Sequence, residues 1–216
     1  KNAWIWTWQS KFATFIIFSG NRGTNTIDTN FENGFKDAVL VHDCWKSHFE
    51  TNVKTHQICI AHLLRELNFF EEQYQSHWAI LFKQLLYDAL KLKNNLSPPQ
   101  YYYPIHQRTK LEHRLAVLLQ TEVPENMKEV CSFHKRMNKY KDYIFTFLYH
   151  SEVPPDNNAS ERAIRNIKVK QKVSGQFKTQ RGAEIYAIIR SITDTCIKNN
   201  QIVLSAFHSI AKLVPE

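Results

Sequence analysis

Two kinds of hydrophobic periodicity divide this chain, and their order limits the folds that it can adopt. Before His62, apolar residues recur with a period of two or form short continuous runs, which is typical of β-strands. From Asn68 onward, apolar residues recur at spacings of three and four, which is typical of amphipathic helices. Strands that are followed by a long helical block indicate an α/β fold that an all-helical segment interrupts.

Four segments have the pattern of β-strands. Trp4-Ile5-Trp6-Thr7-Trp8 alternates, and the short link to the apolar run at residues 12–18 predicts an antiparallel hairpin. The runs at residues 38–42 and 57–61 are typical of buried strands, and a helix should begin near His62. We expect a mixed sheet. We also expect the tryptophans to lie in the core rather than to form a base-stacking surface, because alternation implies one buried face.

Helical periodicity continues through most of the remaining chain. It predicts one long helix from Asn68 to Leu92, further helices near 111–118 and 130–147, and a helix that carries Glu161. A later helix at about 182–197 has an apolar stripe, which consists of Ile185, Ile188, Ile189 and Ile192.

These segments predict three parts of the chain. Residues 1–67 form the first part of the α/β core, and residues 68–150 form an all-helical insertion. Residues 151–216 supply C-terminal helices that complete the core.

The charge of the chain favours a polyanionic partner. There are 28 Lys and Arg against 20 Asp and Glu, a net charge of +8. Within residues 161–181 there are seven basic residues and a single acid, Glu161. Such a strip is suited to phosphate contact, although a solvated basic face has the same composition. The basic residues are Arg162, Arg165, Lys168, Lys170, Lys172, Lys178 and Arg181.

Several classes of protein do not fit the composition. The four cysteines are widely spaced, so we expect reduced thiols and an intracellular protein. No apolar stretch is as long as a membrane span and no signal peptide is visible, so we expect no membrane association. The chain begins at Lys1 within a strand pattern, and we expect it to be a fragment of a longer protein.

Two acids have surroundings that suit metal-assisted chemistry. Asp43 follows a buried strand, and α/β sheets place their sites at the carboxyl ends of strands. Glu161 lies in the first turns of the helix that follows Pro154-Pro155, beside basic residues. Paired carboxylates bind Mg²⁺ or Mn²⁺ through hard oxygen ligands, and such ions promote phosphodiester chemistry.

Each acid also has a purely structural interpretation. Asp43 is suited to cap a helix that begins near Cys44. Asn158-x-x-Glu161 has the spacing of a capping box, in which the Glu side chain reaches back to a backbone amide. The residues alone leave the structural and the metal-binding interpretation open.

A zinc site is a third hypothesis. Cys59 and His62 have a spacing that zinc ligands adopt, and His42-x-Cys44 supplies two further ligand types. Cys59 lies in an apolar strand, however, where a free thiol is usually a small core residue. His62 is also suited to act near a scissile phosphate or to brace a carboxylate.

Four ordered motifs resemble those of the IS-sixty-six type insertion-sequence transposases. The run Asp156-Asn157-Asn158-x-Ser160-Glu161-Arg162-Ala163-Ile164-Arg165 is similar to that family's signature, as is Lys172-Val173-Ser174-Gly175-x-Phe177-Lys178-Thr179-x-x-Gly182-Ala183. Asp43-x-Trp45 and Cys59-x-Ala61-His62-x-x-Arg65 resemble its upstream motifs. The resemblance covers roughly residues 1–67 and 154–200, in the family's order and spacing.

The resemblance implies a ribonuclease H-like fold with a helical insertion and an Asp-Asp-Glu metal site. Asp43 then corresponds to the second acid and Glu161 to the third, with Mg²⁺ or Mn²⁺ as the cofactor and His62 beside them. The family's first Asp lies on a strand just before the tryptophan hairpin, and this chain does not include that strand. We therefore expect an N-terminally truncated catalytic domain that is inactive alone.

The resemblance also implies the activity and the partners. We expect a DNA transposase that cleaves and transfers strands at transposon ends, with the seven basic residues in contact with phosphates. Transposon and target DNA, further copies of the chain and element-encoded helper proteins are the expected partners. The bacterial cytoplasm, at the nucleoid, is the expected location. The alternative is a non-catalytic DNA-binding or assembly module, a transposase remnant whose acids are structural.

Overall fold

The computed structural model describes residues 3–213 and shows a mixed α/β protein. Contacts divide the chain into two compact units. The terminal unit combines residues 3–30 with residues 158–213, and the central unit is residues 31–157.

The elements alternate between strands and helices only in the first third of the chain. In chain order they are β1 (Trp4–Gln9), β2 (Thr14–Ser19), α1 (Thr24–Asn30), β3 (Phe35–His42), α2 (Lys46–Phe49), β4 (Val53–Ile58), α3 (Ile60–Tyr74), α4 (His77–Asn95), α5 (His106–Gln120), α6 (Lys128–Lys139), α7 (Asn158–Ser174), α8 (Gln180–Lys198) and α9 (Val203–Lys212). Short 3₁₀ turns lie at Pro98–Tyr101, Lys141–Tyr143 and Thr146–Leu148.

The described strands form two separate sheets of two strands. In the terminal unit β1 and β2 pair antiparallel, which confirms the predicted hairpin. In the central unit β3 and β4 pair parallel, with α2 between them along the chain. Each strand pairs with its neighbour in sequence, so the predicted single mixed sheet is replaced by one antiparallel and one parallel pair.

The tryptophan face of the hairpin is partly buried at Trp6 and Trp8 and exposed at Trp4, so the prediction that the tryptophans lie in the core is met only in part. The opposite face is the buried one: Ile16 is 2% exposed and packs with Ile167 and Ala187 of the helices. Trp4 remains 37% exposed. Alternation correctly implied one buried face, but it could not tell which of the two apolar faces meets the helices.

Helix α8 covers the outer edge of β2 with hydroxyl side chains. The Ser191 hydroxyl accepts from the backbone N–H of Ile16 at 2.8 Å and also contacts the Ile16 carbonyl. One turn later, the Thr195 hydroxyl accepts from the N–H of Thr14 at 3.0 Å and contacts its carbonyl. Unpaired strand edges invite association with other chains. The hydroxyls of α8 therefore satisfy the edge that β1 leaves open.

The contact between α8 and β2 determines which face of α8 is buried. Ala183 and Ala187 are buried beside the hairpin, whereas three residues of the predicted stripe are exposed and the fourth, Ile192, is partly buried. Ile185, Ile188 and Ile189 remain 47%, 58% and 44% exposed. Small and hydroxylic residues, rather than the isoleucines, thus form the packed surface.

The helical part of the central unit differs in detail from the prediction. The predicted helix from Asn68 to Leu92 is two helices, α3 and α4, because Gln75 adopts a left-handed conformation with φ 49°. Ser76 then caps α4 by accepting from the N–H of Ala79. The predicted strand at 57–61 lies earlier, at Val53–Ile58. The helix predicted for 130–147 ends at Lys139 and continues as 3₁₀ turns.

A single hydrophobic cluster supports β4 and helices α3–α6. Its fully buried members include Ile58, Leu63, Phe82, Phe133 and Phe147. The buried side chain of Gln57 donates to the carbonyl of Ile144 and accepts from the N–H of Phe147. The Gln57 side chain therefore ties the segment after α6 to β4.

Two further predictions concern membrane-spanning helices and the division of the chain into three parts. In residues 3–213, no helix has the length and apolar character that a membrane span requires. The division into residues 1–67, 68–150 and 151–216 stays a prediction; helix α3 runs across its first boundary.

We expect that Ser191→Ala and Thr195→Val each destabilise the terminal unit by about 1–3 kcal/mol, because each leaves a buried strand amide without its acceptor. Urea unfolding followed by tryptophan fluorescence measures the effect. Ser209→Ala, an exposed serine on α9, is the matched control. Stabilities of both variants within about 0.5 kcal/mol of the wild type would contradict a structural role for the two hydroxyls.

Candidate active site

Asp43 lies where a catalytic carboxylate of an α/β protein is expected. It directly follows β3, at the carboxyl end of the parallel pair, and its side chain is 40% exposed. Ligand sites of such folds collect at this end of the strands. The prediction that Asp43 ends a strand is confirmed, although that strand is only partly buried.

His48, on the short helix α2, holds the Asp43 carboxylate. Its Nδ1 lies 3.4 Å from Oδ1 of Asp43. This hydrogen bond is the main reason that the pKa of Asp43 falls from 3.8 to about 2, and the nearby charges of His48 and His62 act in the same direction. Burial acts in the opposite direction but is outweighed. Asp43 is therefore a permanently ionised oxygen donor near neutral pH.

A second pair of histidines fixes the residue before Asp43. His42 is 2% exposed, and its Nε2 lies 3.2 Å from Nδ1 of His56 on β4. Burial, with His48 and His56 nearby, lowers the pKa of His42 to about 2, so its ring is neutral. The ring of Phe49 packs edge-on against that of His42. Contacts of the His42 side chain therefore fix the end of β3.

The chain turns sharply immediately after Asp43. Cys44 has φ 59°, a left-handed conformation that is uncommon for residues other than glycine. Burial raises the pKa of its thiol to about 12, and it also raises that of Cys59. Zinc binds thiolates, so two thiols with raised pKa values are poor candidates for its ligands.

The zinc hypothesis is wrong for residues 3–213. Within them, no group of three or more His, Cys, Asp or Glu is arranged to hold a metal ion. His42 bonds to His56 instead of converging with Cys44, and Cys59 is a fully buried residue.

Hydrogen bonds join three segments at this end of the parallel strands. The N–H of Cys59, just after β4, donates to the carbonyl of His42 at 2.8 Å. The N–H of Ile60 donates to the carbonyl of Pro155 at 2.9 Å, and the N–H of Asn157 donates to Sγ of Cys59 at 3.4 Å. The strand end that carries Asp43 is thus linked to the segment that leads into α7. We call this arrangement the strand-end corner.

His62 lies in the first turn of α3, next to the strand-end corner. Its N–H donates to the carbonyl of Cys59, and the ring is half-buried. It is close enough to Asp43 to contribute to the lowered pKa of that carboxyl. His62 therefore lies within electrostatic range of Asp43, and its predicted role stays a prediction.

Glu161 and the predicted phosphate contacts lie in the terminal unit. Glu161 is in the first turn of α7, which begins at Asn158. At positions i, i+4, i+7 and i+11, Glu161, Arg165, Lys168 and Lys172 share one stripe of the helix. Ala163 and Ile167, on the other side, are buried. We call this stripe the α7 acid–base stripe.

The remaining predicted cations lie around this stripe. Arg162 is exposed on a neighbouring side of α7, and Lys170 lies over the ring of Phe177 at 4.9 Å. Lys178 and Arg181 are exposed beyond the turn at Gly175, where φ is 72°. Of the seven predicted cations, three therefore share the stripe of Glu161.

The excess charge of the chain belongs to the terminal unit. Its described residues include twelve Lys and Arg against four Asp and Glu, a net charge of +8. The central unit has fifteen of each and is neutral. A polyanion is attracted to the terminal unit alone.

The predicted site residues fall into two groups, one in each unit. Asp43 and His62 share the central unit, and Glu161 shares the terminal unit with the seven cations. The pairing of Asp43 with Glu161 stays a prediction. Sequence reasoning missed His48 and His56; the visible signal was the density of histidines around Asp43, which includes His42 and His62.

We expect His48→Ala to raise the pKa of Asp43 from about 2 toward 3.8, because it removes the main hydrogen bond to the carboxylate. Ionised Asp43 supports the fold above about pH 3.8, and this support is lost as the pH falls toward 2. A pH titration of the Asp43 carboxyl carbon by NMR measures the shift, with His208→Ala as the control. A titration midpoint that stays near 2 in His48→Ala would exclude His48 as the cause.

Comparison with protein families gives one match. The profile described as "Transposase IS66 family" matches residues 1–185, which is most of the chain. Neither the comparison with curated proteins nor that with solved structures returns a match. The matched range includes Asp43, His62 and Glu161, and it confirms the resemblance that the ordered motifs indicate. The chain belongs to the IS66 family of transposases, and its function is therefore connected with DNA transposition.

Proposed function

We propose that the chain is the catalytic part of a DNA transposase that cleaves and joins strands at transposon ends. Asp43 and Glu161 are two of its metal-binding carboxylates, and the cations of the terminal unit hold the DNA. The reaction is a metal-dependent phosphodiester cleavage followed by strand transfer.

The strand-end corner is the observation that carries this proposal. In this corner, hydrogen bonds join the end of β3 to the start of α3, and they join the start of α3 to Pro155 and Asn157. Helix α7 begins at the next residue and carries Glu161 in its first turn. Two sequence motifs far apart in the chain are therefore anchored through one set of backbone hydrogen bonds.

The same arrangement supports a ribonuclease H-like core. An antiparallel hairpin comes first, a helix follows, and a parallel pair then ends in an acid. Helices α4–α6 lie between this pair and α7 along the chain, where the family resemblance predicts an insertion.

The ligand chemistry suits Mg²⁺ or Mn²⁺. Asp43 is ionised and exposed, and carboxylate oxygens are the donors that these ions prefer. Bound divalent ions supply a Lewis acid that favours attack on a phosphodiester by water and later by a 3′-hydroxyl. His48 orients the Asp43 carboxylate, and second-sphere partners of this kind sharpen metal sites.

The basic residues and His62 bind and orient the substrate. Arg165 and Lys168 follow Glu161 along the α7 acid–base stripe, so phosphates are held beside the third acid. His62 acts near the scissile phosphate or braces a carboxylate. Transposon ends and target DNA are the proposed partners, with further copies of the chain and helper proteins in the active complex at the bacterial nucleoid.

We predict that Glu161→Gln reduces DNA cleavage by the full-length transposase to background, because an amide cannot replace a metal-binding carboxylate. Cleavage of DNA that carries the transposon ends measures the effect. Thermal unfolding should remain that of the wild type, and Glu184→Gln, an exposed acid on α8, should retain activity. Cleavage by Glu161→Gln at the wild-type rate would refute the assignment.

We predict that replacing Arg165, Lys168 and Lys172 together with alanine weakens duplex DNA binding and lowers its salt dependence. Three lost phosphate contacts should reduce the slope of log K against log salt by about 2.7. Binding titrations at several salt concentrations measure that slope. The triple variant Lys91, Lys110 and Lys135 to alanine removes the same charge from the neutral central unit and should change little. Equal losses in both variants would mean that overall charge, rather than α7, determines binding.

One observation favours the non-catalytic alternative. Residues 3–213 contain no ready group of three metal ligands. A transposase remnant would bind DNA through the terminal unit without cutting it. If wild-type protein and Glu161→Gln bind equally and neither cleaves with Mg²⁺ or Mn²⁺ in the full-length protein, the DNA-binding or assembly module is the correct function.

A further inference from the structure

The connection between α4 and α5 is a long loop that is held in one conformation. It consists of residues 96–105, ten in all, whereas packed helices are usually joined by about two to eight residues. Pro98 and Pro99 begin its 3₁₀ turn, and their rings fix the backbone angle φ. The Gln100 side chain accepts from both the N–H and the hydroxyl of Ser97, at 2.8 and 2.9 Å. The loop is therefore longer and more ordered than a simple connection requires.

A buried arginine supports this loop. Arg108, in the first turn of α5, is 4% exposed, although arginine is rarely buried. Its guanidinium donates to the carbonyl of Gln100 at 2.8 Å and lies 4.3 Å from the centroid of the Tyr149 ring. Lys93 of α4 lies 4.7 Å from the centroid of Tyr101. Because a buried charge is costly unless it is well paired, these contacts favour a single shape of the loop.

Two tyrosine side chains of this loop are open to solvent. Tyr102 and Tyr103 are 81% and 67% exposed. Tyrosine is common at protein interfaces, because its ring supplies apolar area and its hydroxyl supplies a hydrogen bond. Rings on an ordered loop also lose little entropy when they bind a partner. The pair is therefore suited to anchor a protein contact.

The surroundings of the two tyrosines are positively charged. Residues 89–111 contain four Lys and Arg and no acid. Of these four, Lys91 and Lys110 are exposed, on the turns of α4 and α5 that adjoin the loop. Two acids lie next to this segment, Glu112 in sequence and Glu152 near Lys93, so the positive charge is reduced but not cancelled. We call residues 89–111 the basic tyrosine tip.

The other end of α5 leads to an acidic surface. Helix α5 has 15 residues, so its two ends lie about 22 Å apart. It is followed by a loop in which Glu122 and Glu125 are exposed. Tyr74, at the end of α3, donates to Glu129 of α6 at 2.6 Å, which places the end of α3 and its exposed Glu72 beside the start of α6. We call residues 71–74 and 121–129 the acidic end.

The acidic end keeps a negative charge after its internal pairs are considered. It contains five acids and one basic residue, Lys128. Lys83 of α4 pairs with one of the acids, Glu71. Three negative charges therefore remain, and they face a surface that is complementary to the tip.

The two surfaces of one copy cannot meet, because α5 separates them. A second copy of the chain removes this restriction, since the tip of one copy can reach the acidic end of another. Tyrosine hydroxyls donate to carboxylates, and the exposed lysines pair with the remaining acids. DNA suits the tip less well, because the central unit is neutral as a whole and the terminal unit attracts the polyanion.

We propose that the basic tyrosine tip binds the acidic end of a second copy of this chain. Tyr102 and Tyr103 pack on the acidic end and donate to its carboxylates, while Lys91 and Lys110 pair with its acids. The contact is heterologous, so copies associate head to tail in a row or a ring. It is small and charged, so the association is weak and falls with salt. The inference goes beyond the proposed function and does not depend on DNA cleavage.

Sedimentation velocity of the full chain at rising protein concentration tests the contact. The wild type should sediment faster as its concentration rises, and this effect should be lost between about 50 mM and 500 mM salt. Tyr102→Leu together with Tyr103→Leu should weaken self-association about 5- to 30-fold. Tyr87→Leu, which removes a 46% exposed ring from the side of α4, is the matched control and should have no effect. Circular dichroism checks that each variant is folded.

A charge swap tests which surfaces meet. Lys91→Glu with Lys110→Glu makes the tip acidic, and Glu122→Lys with Glu125→Lys makes the acidic end basic. Each double variant should remain monomeric, because its two ends then have the same sign of charge. An equimolar mixture of the two should associate again, since each tip finds an end of opposite charge. A mixture that stays monomeric overturns the proposal, and so does a wild type that is monomeric at every concentration.

The α7 triple variant separates this contact from the proposed function. Replacing Arg165, Lys168 and Lys172 with alanine removes positive charge from the terminal unit and should leave self-association unchanged. If it abolishes self-association as fully as the tip variants do, the acidic end binds the terminal unit and the tip proposal is wrong. Cleavage by Glu161→Gln tests the proposed function by itself, so either proposal can fail while the other stands.

Discussion

The strand-end corner is the constraint on which the proposed chemistry depends. The N–H of Cys59 donates to the His42 carbonyl and fixes the ends of two parallel strands. The N–H of Ile60 donates to the Pro155 carbonyl and the N–H of Asn157 donates to Sγ of Cys59, which attaches a segment almost one hundred positions later. These contacts use backbone groups, with one buried sulfur as an acceptor. They pair the backbone groups at the strand end that precedes Asp43. The His48 and His42 contacts then determine the orientation and the charge of the carboxylate.

The two units divide the physical tasks of the protein. The central unit is electrically neutral, contains the large hydrophobic cluster and holds Asp43 in its ionised form. The terminal unit has a smaller buried cluster and all of the excess positive charge. This charge does not stabilise the fold, since like charges repel one another within a compact unit. Its concentration is instead explained by a polyanionic partner, which is what membership in a transposase family implies.

Much of the site could be predicted from the sequence, because its motifs are short and local. Asp43 at a strand end, Glu161 in a first helical turn and the run of cations each follow from neighbours within a few residues. The His48 contact could not be predicted, because the short helix α2 that positions it has no periodicity of its own. The break at Gln75 was missed for a similar reason: the apolar spacing continues through it, and only a left-handed backbone angle separates α3 from α4. Hydrophobic patterns predict which helices and strands form, but they are less reliable in predicting where those elements end.

The hydrophobic pattern alone could not predict which faces of α8 and of the hairpin are buried. The exposed isoleucines of α8 are larger than the alanines that it buries, so the hydrophobic effect alone would favour the opposite orientation of the helix. The edge of β2 decides the orientation, because the amides of Thr14 and Ile16 need acceptors, which Thr195 and Ser191 supply. Burying an unpaired amide costs about as much as burying a large apolar side chain gains. The hydroxyls therefore turn the alanines of α8 inward. The same contact places Ile16 against the helices, and Trp4 and Phe15 lie on the opposite face of the hairpin.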